Sequence, residues 1–184
     1  MSMISHLLFG PFRPGIEAQR PMLYRIAYAW CHDAALADDL VQETLSKAWA
    51  RRAQLRDEAA LKGWMVSIMN HCWLDYLRSR RDFDDVDELR DELESGAESP
   101  ESRCGREQII ACVRAAVARL PLGQRQVLTL VDLEEFGYAE VAGILDIPVG
   151  TVMSRLSRAR ASLKCLMDPA MQQPAARPQL RRVK

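Results

Sequence analysis

Apolar residues recur along most of this chain at spacings of three and four, the period of one face of an α-helix. After Pro21, a first stripe holds Met22, Leu23, Ile26, Ala27 and Trp30. A second, in "DAALADDLVQETLSKAWARR", holds Leu36, Leu40, Leu45, Ala48 and Trp49, with Asp38, Asp39, Gln42 and Glu43 on the solvent side. The stretch Leu55 to Ala60 breaks the pattern and reads as a loop. Leu61, Trp64, Met65, Ile68, Met69 and Cys72 then resume it. Three helices with such stripes can share one core of about sixty residues.

The pattern fails from Asp82 to Glu101, where ten acidic residues accompany one arginine. Like charges repel there, and little apolar surface offsets the chain entropy. A flexible linker is expected, with room for a short helix around Val86 to Leu93. A second helical block follows, with Ile109, Ile110, Val113, Ala116, Val117 and Leu120 on one face, ended by Pro121. No stretch alternates as a strand does, and glycine and proline sit mostly at the ends of helical patterns. The expected fold is all-α: a three-to-four-helix unit over residues 21–81, an acidic linker over 82–105 and a second helical unit over 106–167. Residues 1–20 form an N-terminal segment, and 168–184 read as a disordered basic tail.

The second unit carries "FGYAEVAGILDIPVGTVMSRLSRAR", Phe136 to Arg160. A helix from about Tyr138 to Leu145 would turn at Asp146, a residue that tolerates left-handed geometry. A second helix would begin near Val149 to Thr151, anchored inward by Val152 and Leu156. This is the pattern of a helix-turn-helix. Its outward face would hold Thr151, Ser154, Arg155, Ser157 and Arg158. Arginine can grip phosphate or pair bidentately with guanine, and a helix N-terminus offers free N–H groups to phosphate. The alternative is a solvated basic face on a core helix.

In the first unit, "WMVSIMNHCWLDYLRSRR" places Trp64, Trp73 and Tyr76 near Asn70, Arg78, Arg80 and Arg81. Aromatic rings beside arginines suit stacking on unpaired bases while holding a backbone. The alternative is that the tryptophans fill the core, above all Trp64.

Composition narrows the functional classes. Net charge is zero, so any attraction to nucleic acid must come from local clusters. No apolar run approaches the roughly 18 residues of a membrane span, and no secretion leader is evident, so a cytoplasmic protein is expected. Five scattered cysteines suggest no disulfide framework. Cys31-His32 and His71-Cys72 lack metal-ligand spacing, so neither a metal nor a cofactor is expected. There is no glycine-rich phosphate loop or nucleophile elbow, and the histidines form no motif with carboxylates. An enzyme is not expected.

In this order, the units resemble an extracytoplasmic function (ECF) sigma factor of the sigma-70 family, the minimal type with regions 2 and 4. "DDLVQETLSKAW" is similar to region 2.2, "WMVSIMNHCWLDYLRSRR" to regions 2.3 and 2.4, and Leu120 to Leu163 to region 4. The resemblance implies a subunit that binds core RNA polymerase and directs it to promoter DNA. It implies that Asp38, Asp39, Gln42 and Glu43 meet the coiled coil of the β′ subunit, and that the β flap is a second contact. Region 2 would melt and read the −10 element through Trp64, Asn70, Trp73 and Arg78, with Asn70 matching an asparagine associated with a flipped base. Region 4 would read the −35 element through Thr151, Ser154, Arg155, Ser157 and Arg158. An anti-sigma factor is a further implied partner. Three departures stand out: Met153 where many relatives carry a basic residue, Asp146 for the common turn glycine, and His71-Cys72 after Asn70. Two other readings fit parts of the chain: a response-regulator-type activator, and a helical adaptor that binds other regulators.

Overall fold

A computed structural model describes residues 12–55, 57–84 and 105–167 of the 184-residue chain. The amino-terminal half contains α1 (Phe12–Ala18), α2 (Arg20–Cys31), α3 (Ala34–Ala50) and α4 (Leu61–Asp84). The carboxy-terminal half contains α5 (Gly105–Ala118), α6 (Leu122–Leu128), α7 (Tyr138–Leu145) and α8 (Val149–Met167). Short 3₁₀ turns at Arg52–Gln54 and Glu58–Ala60 occupy the stretch between α3 and α4. Among the described residues there is no strand, in keeping with the all-α expectation.

Local chemistry sets the helix ends. Pro21 stands in the first turn of α2, where its missing N–H costs nothing. At the other end His32 adopts a left-handed conformation, φ 55°, and its N–H donates to Tyr28 O at 2.8 Å. Asp33 follows at once and caps α3, its Oδ1 accepting from the Leu36 N–H at 3.0 Å. Two residues thus end one helix and start the next, and α3 packs against α2.

The buried faces follow the helical stripes. Leu23, Ile26, Ala27 and Trp30 of α2 meet Ala37, Leu40, Val41 and Leu45 of α3, and Met65, Val66, Met69 and Cys72 of α4. Some positions differ from the sequence pattern. Leu36, Trp49 and Trp64 are only partly buried, and Thr44 is buried with its hydroxyl donating to Leu40 O at 2.7 Å. The helix α1 was not expected, and its Ile16 is buried. Ile110, expected on the inner face of α5, is 43% exposed. The helix α4 continues to Asp84, past the expected boundary at 81. The rest of the acidic segment, including the short helix expected around Val86 to Leu93, and the tail 168–184 lie outside the described residues.

The two helical units pack directly on each other. The helix α2 meets α5 and α6, and α4 meets α7. Val117, Leu120, Val127, Leu130 and Ile144 of the carboxy-terminal half belong to the same buried cluster as the core of the amino-terminal half.

Beyond α6 the chain widens into a π-helical turn, Thr129–Leu133. Glu134 N–H donates to Thr129 O at 3.1 Å, and Phe136 N–H to Leu130 O at 2.9 Å. Such a turn re-aims the side chains that follow it. Here Asp132 reaches Arg160 and Glu134 reaches Arg25.

The helix-turn-helix forms where the pattern placed it. Glu140 Oε2 accepts the Gly137 N–H at 2.8 Å and opens α7. Val141, Ala142, Ile144 and Leu145 face inward, as do Val152, Leu156 and Ala159 of α8. Asp146 takes φ 53°, ψ 50°, and its N–H donates to Ala142 O. A β-branched side chain is strained in that geometry, whereas glycine is not. Asp146→Val is therefore expected to unfold about 1–2 kcal/mol less stably than Asp146→Gly in urea titrations, with Asp146→Gly no less stable than the parent.

Candidate nucleic-acid interface

The helix α8 presents the outward residues of the helix-turn-helix, with uneven freedom. Ser154 and Ser157 are exposed, and Thr151 is half-buried. Ser154 Oγ donates to Thr151 O at 3.1 Å, and Arg158 folds along its own helix to Ser154 O at 3.3 Å. Arg155 is half-buried instead of fully outward. Its guanidinium lies over Gly123 at the start of α6, so close that a Cβ added there would stand 3.0 Å from Nη1. Arg160 is engaged by Asp132 in a bidentate pair at 2.6 and 3.0 Å. Met153 is 54% exposed on the same helix. Arg158, with Ser154 and Ser157, is thus the arginine best placed to leave its present contacts for a ligand.

On α4 the two tryptophans, both expected at the −10 site, stand in different environments. Trp73 is buried, stacked on Tyr76 with ring centroids 5.6 Å apart. Trp64 is partly exposed and lines a groove of about 540 Å³ with Lys62, Ser67, Glu135, Phe136 and Ile144. Arg78 is exposed and pairs with Asp75 at 2.9 Å. Asn70 is 3% exposed. Its amide nitrogen donates to Ile144 O at 3.3 Å, and its oxygen accepts from Gln126 Nε2 at 3.1 Å. Both partners come from the carboxy-terminal half.

The acidic row on α3 is outward as expected. Asp38, Asp39, Gln42 and Glu43 are all exposed, opposite the buried Ala37, Leu40, Val41 and Thr44. Arg20 reaches Asp38 at 3.5 Å, and with its amide oxygen turned that way Gln42 accepts from the same guanidinium at 3.0 and 3.1 Å. Lys47 pairs with Glu43 at 2.7 Å.

Further polar ties cross between the halves. Arg25 binds Glu134 through two hydrogen bonds of 2.8 and 2.7 Å. Arg125 donates to Trp30 O at 2.8 Å and to Leu120 O at 3.2 Å, so one guanidinium closes the last turn of α2 from the other half. Its burial works against its charge and lowers its pKa. Burial and then the Arg125 charge also push the neighbouring His32 from 6.5 down to about 4. Burial raises the thiols of Cys31 and Cys72, which disfavours the reactive thiolate. Among the described residues no group of three His, Cys, Asp or Glu could hold a metal ion. Nor is any helix there long and apolar enough to cross a membrane.

Sequence reasoning missed Arg25, Arg125, Gln126 and Glu134. Gln126 left a faint trace, as a polar residue beside the apolar Val127-Leu128. Its partner, 56 residues away, left none.

Comparison with known proteins agrees with this geometry. Residues 16–83 match the model of sigma-70 region 2, and residues 110–163 that of sigma-70 region 4. The chain is 35% identical over 158 residues to the ECF RNA polymerase sigma factor EcfG of Rhodopseudomonas palustris, covering 84% of each. It is 33% identical over 140 residues to the ECF RNA polymerase sigma-E factor of Escherichia coli K12, covering 71% of this chain and 73% of that one. Its structure is similar to that of the sigma factor RpoE of Bartonella quintana in complex with the anti-sigma factor NepR. That match has a TM-score of 0.71 and 28% identity, over 84% of this chain and 95% of the other. The fold of CnrH, solved with the cytosolic domain of CnrY, matches with a TM-score of 0.58 over 85% of this chain and 87% of the other, at 23% identity.

The depressed His32 makes stability depend on pH. Between about 6.5 and 4, the unfolded chain binds a proton that the folded chain refuses, so stability falls as pH falls through that window. Urea titrations at pH 7 and pH 5 should show lower stability at pH 5 from this group, by about 1 kcal/mol or less, since solvent screens a half-exposed imidazole. His32→Asn, which tolerates the left-handed geometry, should reduce that difference by a similar amount. An undiminished difference would assign the acid sensitivity elsewhere.

Proposed function

Because the chain belongs to the sigma-70 family and is an ECF-type RNA polymerase sigma factor, we propose a division of labour among its exposed surfaces. The acidic row of α3 docks on core RNA polymerase, at the β′ coiled coil, and the β flap receives the carboxy-terminal half. The single observation that carries this is the exposure of Asp38, Asp39, Gln42 and Glu43 together, on a helix whose opposite face is locked in the core. A fixed helix presents four polar groups at no folding cost on binding.

Asn70, with Trp64 and Arg78, takes the unstacked bases of the −10 element. An extruded base offers hydrogen bonds on its edge to a carboxamide and a face to an indole. Trp73 serves this site from beneath, holding Tyr76 by stacking. The helix α8 enters the major groove at the −35 element with Ser154, Ser157 and Arg158. Thr151 stands at its amino-terminal end, and Arg155 is held against Gly123 until DNA draws it out. An exposed methionine at 153 suits the methyl group of thymine better than a phosphate. An anti-sigma factor is the regulatory partner, in line with the complex of RpoE with the anti-sigma factor NepR. The protein works in the cytoplasm, where polymerase and promoter are.

The test is gel filtration of the purified protein with bacterial core RNA polymerase. The parent chain is expected to co-elute, and Asp38→Ala/Asp39→Ala to weaken co-elution about tenfold or more while the chain still folds. Co-elution unaffected by the double substitution would move the docking surface off α3.

A further inference from the structure

Gly123 stands in the first turn of α6, where alanine is the better helix former. Its φ lies outside the left-handed range, so no turn requires glycine there. The space around it does. A Cβ at residue 123 would stand 3.0 Å from Arg155 Nη1, 3.1 Å from Cζ and 3.3 Å from Nε. That approach is closer than at Gly15, Gly63 or Gly137, and at Gly143 and Gly150 an added Cβ would meet nothing within 4 Å. Three atoms of one plane at nearly equal distance mean that a face of the guanidinium covers the glycine. Its N–H groups lie in that plane and are not aimed at Gly123.

The three arginines of α8 are held differently. Arg160 is locked by Asp132, and Arg158 lies along its own helix to Ser154 O. Among the described residues Arg155 makes neither a hydrogen bond nor an ion pair. Packing alone holds it over α6, and that packing exists because residue 123 has no side chain. A guanidinium packed in this way keeps its donors for another partner, on a long side chain that moves readily. It is half-buried beside α6, off the exposed row of Ser154, Ser157 and Arg158.

We propose that Gly123 sets the base preference at the −35 element. It acts as a positioning residue through Arg155, by giving the guanidinium a seat beside α6 and so keeping it out of the row that meets base edges. Serine hydroxyls accept several base edges, whereas an arginine free in the major groove pairs bidentately with guanine. The seat therefore decides how strongly guanine is demanded at one position of the site. The inference rests on the reading of α8 as the −35 helix.

The test uses the full chain with Gly123→Ala, Arg155→Ala, Gly123→Ala/Arg155→Ala and Arg158→Ala. Alanine suits the backbone, and the atoms it would meet end a flexible side chain, so Gly123→Ala should melt no lower than the parent. Phenylglyoxal modification, located by mass spectrometry, reads the seat without DNA. In the parent, Arg155 should react more slowly than Arg158, a comparison that needs no variant. In Gly123→Ala, Arg155 should react about threefold or more faster than in the parent. Each chain, joined to bacterial core RNA polymerase, then selects from DNA duplexes carrying a randomised segment. Gly123→Ala is expected to gain preference for guanine at one position by about fivefold or more. The double variant should lose that gain and match Arg155→Ala. Equal reactivity of Arg155 in the parent and in Gly123→Ala, or the same selected sequences from both, would overturn the seat. So would a gain for another base, or a gain that survives the loss of Arg155. Sequences unchanged by Arg158→Ala as well, or no enrichment by the parent complex, would instead take α8 off the −35 element, and the role of Gly123 with it.

Discussion

The carboxamide of Asn70 holds the two halves of this molecule in one arrangement. It is a neutral group with donors and an acceptor, buried where an unpaired polar atom would cost about 1–3 kcal/mol. Ile144 O and Gln126 meet that requirement, and both belong to the other half. The position of α4 against α6 and α7 is thereby specified by hydrogen-bond geometry as well as by apolar contact. Arg25 with Glu134 and Arg125 with Trp30 O fix the same junction at two further points.

The π-helical turn makes this arrangement possible. An α-helix continued without a break from Leu122 would carry the residues after Leu128 onto different faces. The wider turn sends Asp132 to Arg160 and Glu134 to Arg25. One irregularity thus braces α8 on one side and the other half of the molecule on the other. Irregular helical turns of this kind are commonly found at functional places. Here the turn stands between α8 of the helix-turn-helix and the junction that covers Asn70.

Much of the fold was legible in the chain. The stripes at three and four predicted the buried faces of α2, α3 and α4, and Asp146 marked the turn by its tolerance of left-handed backbone. Trp73 could also have been placed. It lies four and eight residues after Met69 and Met65, on their buried face, whereas Trp64 precedes that register by one. The weight given to aromatic composition obscured the period. Arg155 was less accessible to sequence reasoning, because its packing over Gly123 joins residues far apart in the chain. The junction was not legible at all. Hydrogen bonds between residues 56 and 74 positions apart leave no periodic trace, and a buried asparagine reads the same in sequence as an exposed one.

The hydrogen bonds of Asn70 to Ile144 O and Gln126 fix α4 against the carboxy-terminal half. The most direct measurement is the distance between spectroscopic labels placed on α3 and α8, taken in the parent chain and in Asn70→Ala. A single short distance in the parent that broadens or lengthens in Asn70→Ala is the predicted result. An unchanged distance distribution in the variant would contradict it, because the two halves would then be held without the Asn70 carboxamide.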